Sequence, residues 1–178
     1  MISKLKISSW FAIQATEEDF EQFYHRELPR VYNFFRYRFG DGPLAEDLTS
    51  ETFEKAWRHR DKYKSDLSAL STWIFTIARN VAIDHYRKRD NEVSLTEAVD
   101  LTSNEITMDE LVQQHTEYAR LSILLAQLAD RDRELVALKY GAGLTNRAIA
   151  GLSGLSESNV AVILHRAVQT LRAEWEKP

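Results

Sequence analysis

A chain of 178 residues with 44% apolar side chains and a formal net charge of −4 has material for one mid-sized domain or two small ones. The absence of cysteine excludes disulfides, thiolate metal sites and cysteine nucleophiles, and suits a reducing cytoplasm. The five histidines show no metal-ligand spacing, no apolar run reaches the length of a membrane span, and a net acidic chain can offer DNA only a local basic surface.

Residues 1–15 read as an N-terminal extension whose Trp10, Phe11 and Ile13 strap onto the first helix; they are too broken by polar residues for a signal peptide. Thr16-Glu17-Glu18-Asp19 has the form of a capping box. Phe20, Phe23, Tyr24, Val31, Tyr32, Phe35 and Phe39 then recur at helical spacing, which predicts a core stripe with a kink at Pro29. Gly40-Asp41-Gly42 stops that helix, and Pro43 suits the first position of the next, which should run to about Lys62.

In this second helix Leu44, Leu48, Thr52 and Ala56, with Phe53 and Trp57 alongside, point inward. Asp47, Ser50, Glu51 and Glu54 fall at i, i+3, i+4 and i+7 and form an acidic stripe with no lysine or arginine among them. Like charges at these spacings repel slightly, so a stripe without local partners favours a surface built for a basic partner.

A polar loop follows, with Tyr63, Lys64 and Ser65, and then a helix that Ser71 should cap. Trp73, Ile74, Ile77 and Val81 form its buried stripe, while Thr76, Asn80, Asp84 and Arg87 share another face. It ends in Arg87-Lys88-Arg89 behind His85 and Tyr86. Such cations suit the helix dipole, and beside exposed aromatics they also suit phosphates and unstacked bases.

Residues 91–106 lose periodicity and read as a flexible acidic linker. Thr107-Met108-Asp109-Glu110 is a second capping box, opening a helix to about Leu128. Asp130 should cap a further helix that stops at Gly141-Ala142-Gly143.

Thr145 can cap a short helix with Ile149 and Leu152 on its apolar face, Gly154 can end it, and Ser156 can cap a long helix from Glu157 to Trp175. Along that helix Val160, Ile163 or Leu164, Ala167 and Leu171 make an apolar face, opposite Ser158, Asn159, His165, Arg166 and Arg172. This is a helix-turn-helix pattern, whose second helix enters the DNA major groove, although any helical bundle contains capped amphipathic pairs. The expected fold is all-α: two small helical bundles, at 16–90 and 107–178, joined by a flexible linker, with the helix-turn-helix in the second.

The order of these features resembles the extracytoplasmic-function (ECF) group of bacterial sigma factors. Ala45–Trp57 resembles that family's polymerase-binding segment, Ser71–Arg89 its promoter-melting and minus-ten-reading segment, and Leu128–Arg172 its minus-thirty-five-reading domain. The resemblance implies that Asp47, Ser50, Glu51 and Glu54, with Phe53 nearby, dock on the clamp helices of the largest subunit of core RNA polymerase, and that the flap is a second contact. It implies that Tyr63, Lys64, Ser65, Asn80, Asp84, Arg87, Lys88 and Arg89 face the separated strand of the minus-ten element. Promoter DNA, duplex and single-stranded, would be the ligand, and an anti-sigma factor a further partner. No catalytic residue, cofactor, metal or membrane insertion is implied, since the polymerase supplies the chemistry.

Ser50 stands where the family often has glutamine. Ala161, Val162 and Ile163 stand where it usually has basic or small polar residues. Upstream reading would then fall on Ser156, Ser158, Asn159, His165 and Arg166, with Val162 against thymine methyls. Two other classes compete: a stand-alone helix-turn-helix regulator with an N-terminal dimerisation or ligand domain, and a pure interaction protein. The first leaves the acidic stripe and the basic helix end unexplained, and the second makes the helix-turn-helix a packing unit only.

Overall fold

The computed structural model describes residues 17–63, 70–95 and 112–177. They form α1 (Glu17–Phe39), α2 (Gly42–Arg58), a 3-10 turn (Arg60–Lys62), α3 (Leu70–Leu95), α4 (Val112–Gln127), α5 (Asp130–Val136) running into a π-helical segment (Ala137–Gly141), α6 (Asn146–Ser153) and α7 (Glu157–Trp175). No strand occurs among the described residues, and the fold is all-α as the sequence predicts.

The first bundle is α1, α2 and α3 around an aromatic core. Phe34 and Phe75 meet edge-on with centroids 6.0 Å apart, and Phe23 and Phe53 likewise at 6.2 Å, the geometry favoured by ring quadrupoles. Pro29 lies inside α1 without ending it. Gly40, at φ 78, reverses the chain, and Asp41 caps α2 by accepting the Leu44 amide at 2.9 Å. Buried Thr49 and Thr52 return their hydroxyls to the carbonyls of Ala45 and Leu48 at 2.6 and 2.7 Å, which satisfies them without outside partners.

In the second bundle the caps of the helix-turn-helix are as expected. Thr145 accepts the Ala148 amide at 3.2 Å, Ser156 accepts the Asn159 amide at 3.2 Å, and Gly154 sits at φ 73.

Other expectations need correction. Leu70 is already helical, so Ser71 lies within α3 instead of capping it. Ala129 takes the cap position of α5, and the Asp130 carboxylate binds Arg133 at 2.6 Å, an i,i+3 pair that competes with capping. The helix α3 continues to Leu95, beyond the point where the linker was expected to begin. The N-terminal extension, Thr16, Lys64, Ser65, the Thr107–Glu110 capping box and residues 96–106 of the linker lie outside the described residues.

The bundles pack directly on one another, and one cluster of buried residues runs through both. The contact centres on the π-helical segment, where the Ala142 amide reaches back to the Ala137 carbonyl at 2.9 Å. Gly141 lies so close to α1 that a Cβ there would stand 2.8 Å from the Asn33 carbonyl oxygen, so only glycine permits this approach.

Candidate functional site

The first surface is the outer face of α2. Asp47, Ser50 and Glu54 are exposed and Glu51 is half-buried. The expectation that this stripe lacks local partners is overturned. Glu51 lies 2.8 Å from Lys55 and Glu54 lies 2.5 Å from Arg58, both i,i+4 pairs in the favourable order with the acid N-terminal. Lys55 and Arg58 stand one turn C-terminal to these acids, outside the stripe itself. Asp47 alone of the three acids has no ion-pair partner among the described residues. Phe53 is 5% exposed, its ring 4.7 Å from that of Tyr24, so it supports this face from beneath.

Lys55 joins this surface to the next. Its ammonium also lies 3.5 Å from Asp84 on α3. The hydrogen bond to Glu51, with the charges of Glu51 and Asp84, raises its pKa above 10.5 against the opposing effect of burial.

The second surface is on α3. Asn80, Arg87, Lys88 and Arg89 are exposed, and Asp84 is half-buried against Lys55. Tyr63 is half-buried with its ring 5.4 Å from Trp73, and burial raises its phenol pKa. Tyr86 is not an open stacking platform. Its ring lies 5.1 Å from Phe39 beneath the Arg38 guanidinium, and its hydroxyl accepts from Arg133 of the second bundle at 3.3 Å.

The third surface is the outer face of α7. Ser156, Ser158, Asn159, Val162, His165 and Arg166 are all exposed, while Val160, Ile163, Leu164 and Ala167 are buried. Ile163 therefore belongs to the core, and only Ala161 and Val162 make the exposed face less polar. Arg166 is held 3.4 Å from Asp132. Sequence reasoning missed Arg147, whose side chain is 90% exposed in the first turn of α6 and 3.8 Å from Glu157. A cation there opposes the helix dipole, a signal that was available in the sequence.

Among the described residues no group of three or more His, Cys, Asp or Glu could hold a metal ion, and no helix is long and apolar enough to cross a membrane.

A capped helix-turn-helix with a polar outer face, packed on a second helical bundle, defines the class of DNA-binding transcription proteins. Known families narrow this class. Sigma-70 region 2 matches residues 23–92, and sigma-70 region 4 matches residues 119–171. The ECF RNA polymerase sigma factor SigM of Bacillus subtilis is 30% identical over 166 residues, covering 88% of this chain and 95% of SigM. The ECF sigma factor BldN of Streptomyces coelicolor is 32% identical over 161 residues, covering 89% of this chain but 61% of BldN. The structure of the sigma factor RpoE in complex with the anti-sigma factor NepR from Bartonella quintana superposes with a TM-score of 0.74 at 27% identity, covering 89% of this chain and 98% of that one. The chain belongs to the ECF group of RNA polymerase sigma factors, which direct promoter recognition for transcription initiation.

Proposed function

We propose that the exposed acidic face of α2, with Asp47, unpaired among the described residues, at its N-terminal end, docks on basic residues of core RNA polymerase. The outer end of α3, from Asn80 to Arg89 with Tyr63, Lys64 and Ser65, then holds the separated strand of the minus-ten element. The outer face of α7 reads the minus-thirty-five duplex, and Arg147 adds a phosphate contact. The corresponding domains are residues 16–90 and 107–178. The observation that carries this reading is the division of α7 into a buried row and an exposed row of hydrogen-bonding side chains, which leaves one helix face free for a groove.

Binding to a separated strand lowers the free energy of the opened promoter, a population shift that needs no catalytic group in this chain. The chain acts in the cytoplasm, beside the polymerase. An anti-sigma factor is a proposed partner, on the strength of the RpoE–NepR likeness.

Transcription in vitro with core polymerase on a genomic promoter library tests the proposal. Transcripts that start at a common pair of elements and depend on the added chain are expected. Sequence-independent or absent initiation would refute it.

A further inference from the structure

On the flank of α7 one carboxylate holds two exposed guanidiniums. Asp132 of α5 lies 3.4 Å from Arg166 through Oδ2 and 3.8 Å from Arg131 through Oδ1. The side chains of Arg131 and Arg166 are 62% and 63% exposed and that of Asp132 is 16% exposed, so the acid is recessed between the two cations. At 3.8 Å Arg131 is ion-paired without a hydrogen bond, and its donors stay available to a ligand.

The helices themselves do not call for this cluster. Arg131 stands in the first turn of α5, where a cation opposes the dipole. Asp130, in the same turn, already supplies an acid that suits it. Ion pairs between side chains this exposed add little to stability. The cluster carries two positive charges against one negative, and its cations face outward.

Its place relative to the groove is set by α7. Arg166 follows Asn159 by seven residues and Val162 by four, so it continues the exposed row toward the C-terminal half of the helix. In a helix-turn-helix the N-terminal residues of the second helix meet base edges, so the continuation of that row comes level with the backbone bordering the groove. Arg131 stands beside it on a different helix, joined to it through Asp132.

We infer that Asp132 is a positioning residue, which holds Arg131 and Arg166 together as a paired phosphate contact on the backbone beside the minus-thirty-five element. The inference rests on the sigma-factor reading of α7 and adds Arg131 and Asp132 to it. An acid near DNA repels phosphates, but this one is recessed and covered by two cations. In exchange it orders two rotamer-rich side chains before DNA arrives, which is worth about tenfold in affinity.

The sign of one substitution separates these effects. Preassembled holoenzyme of full-length chain and core polymerase is bound to a promoter duplex recovered from the library transcription, over a range of salt. Asp132→Asn should weaken binding about tenfold although it removes a negative charge, and Asp132→Glu should recover most of the loss. In the Arg131→Ala, Arg166→Ala background the same Asp132→Asn change should cost nothing. Arg131→Ala alone should lower the slope of log affinity against log salt by about one, as loss of a phosphate contact does. Tighter binding by Asp132→Asn would show that the acid withholds the arginines and would overturn the inference. Equal weakening in both backgrounds would reduce Asp132 to a structural role and overturn it too. If Asp132→Asn does not fold, as judged by helical circular dichroism, the Arg131→Ala slope decides, and an unchanged slope would reject the paired contact. If wild-type chain and polymerase recovered no promoter at all, the proposed function would fall and this inference with it.

Discussion

The guanidinium of Arg79 and the carboxylate of Glu134 lie 2.7 Å apart across the boundary between the two bundles, with side-chain exposures of 21% and 16%. A charge pair so shielded is worth more than a surface pair, and removing one partner leaves the other poorly solvated. A double-mutant cycle with Arg79→Met and Glu134→Gln, read by urea unfolding, should therefore give a coupling of about 1–2 kcal/mol. A coupling below about 0.5 kcal/mol would mean that the clasp adds nothing to the packing around it.

Asp47 is the best single probe of the docking face, because it is exposed and no local pair is broken by changing it. Asp47→Arg should lower affinity for core polymerase at least about tenfold while altering stability by no more than about 0.5 kcal/mol, as expected for an isolated surface site. Glu51→Arg is a poorer probe, since it also removes the acid that holds Lys55. Unchanged polymerase affinity in folded Asp47→Arg would reject the docking role.

The elements of this fold were legible because their signals are local. Thr145, Gly154 and Ser156 punctuate the helix-turn-helix by rules that act within a single turn, and the structure places each as those rules require. The exposed face of α7 was legible from periodicity, and Ile163, three residues after Val160 and four before Ala167, falls with the buried row and not with Ala161 and Val162. The clasp was not legible. Arg79 and Glu134 are 55 residues apart, and nothing in the sequence between them says which helix faces meet. The cations beside the acidic stripe were within reach of the sequence, one turn away at Lys55 and Arg58.

Lys55 gives the fold a specific alkaline sensitivity. Its folded pKa is raised above 10.5, chiefly by the hydrogen bond to Glu51. The folded state thus holds the proton more tightly than the unfolded chain. The resulting stability is fully present below pH 10.5 and is lost as pH rises through the folded pKa. The difference in unfolding free energy between wild type and Lys55→Met should be constant from neutral pH to about pH 10 and should shrink above it. Tyr63 and Tyr118, whose pKa values burial raises, lose stability in the same direction but cancel in the comparison. A difference that stays flat through strong alkali would show that the Glu51–Lys55–Asp84 chain contributes no net stability.

The last prediction concerns how promoter choice is divided between the bundles. On α7 the exposed row includes Ala161 and Val162, which cannot form bidentate hydrogen bonds to base edges, and Arg166 is already held by Asp132 at 3.4 Å. Each good bidentate contact is worth about 1–3 kcal/mol of discrimination, so the upstream element is read with few of them. On α3 the exposed Asn80 amide can both donate and accept, and the exposed cations Arg87, Lys88 and Arg89 follow on the same helix. Promoter choice should then be sharper in the minus-ten element. Asn80→Ala should relax base preference at one minus-ten position, whereas Arg166→Ala should weaken initiation evenly across upstream variants, as loss of a phosphate contact does. Saturation mutagenesis of a cognate promoter, read by transcript counts with each variant, measures both. If single changes in the upstream element proved the more damaging, Val162 against thymine methyls would have to carry more discrimination than an apolar contact ordinarily does, and the assignment of specificity to α3 would be wrong.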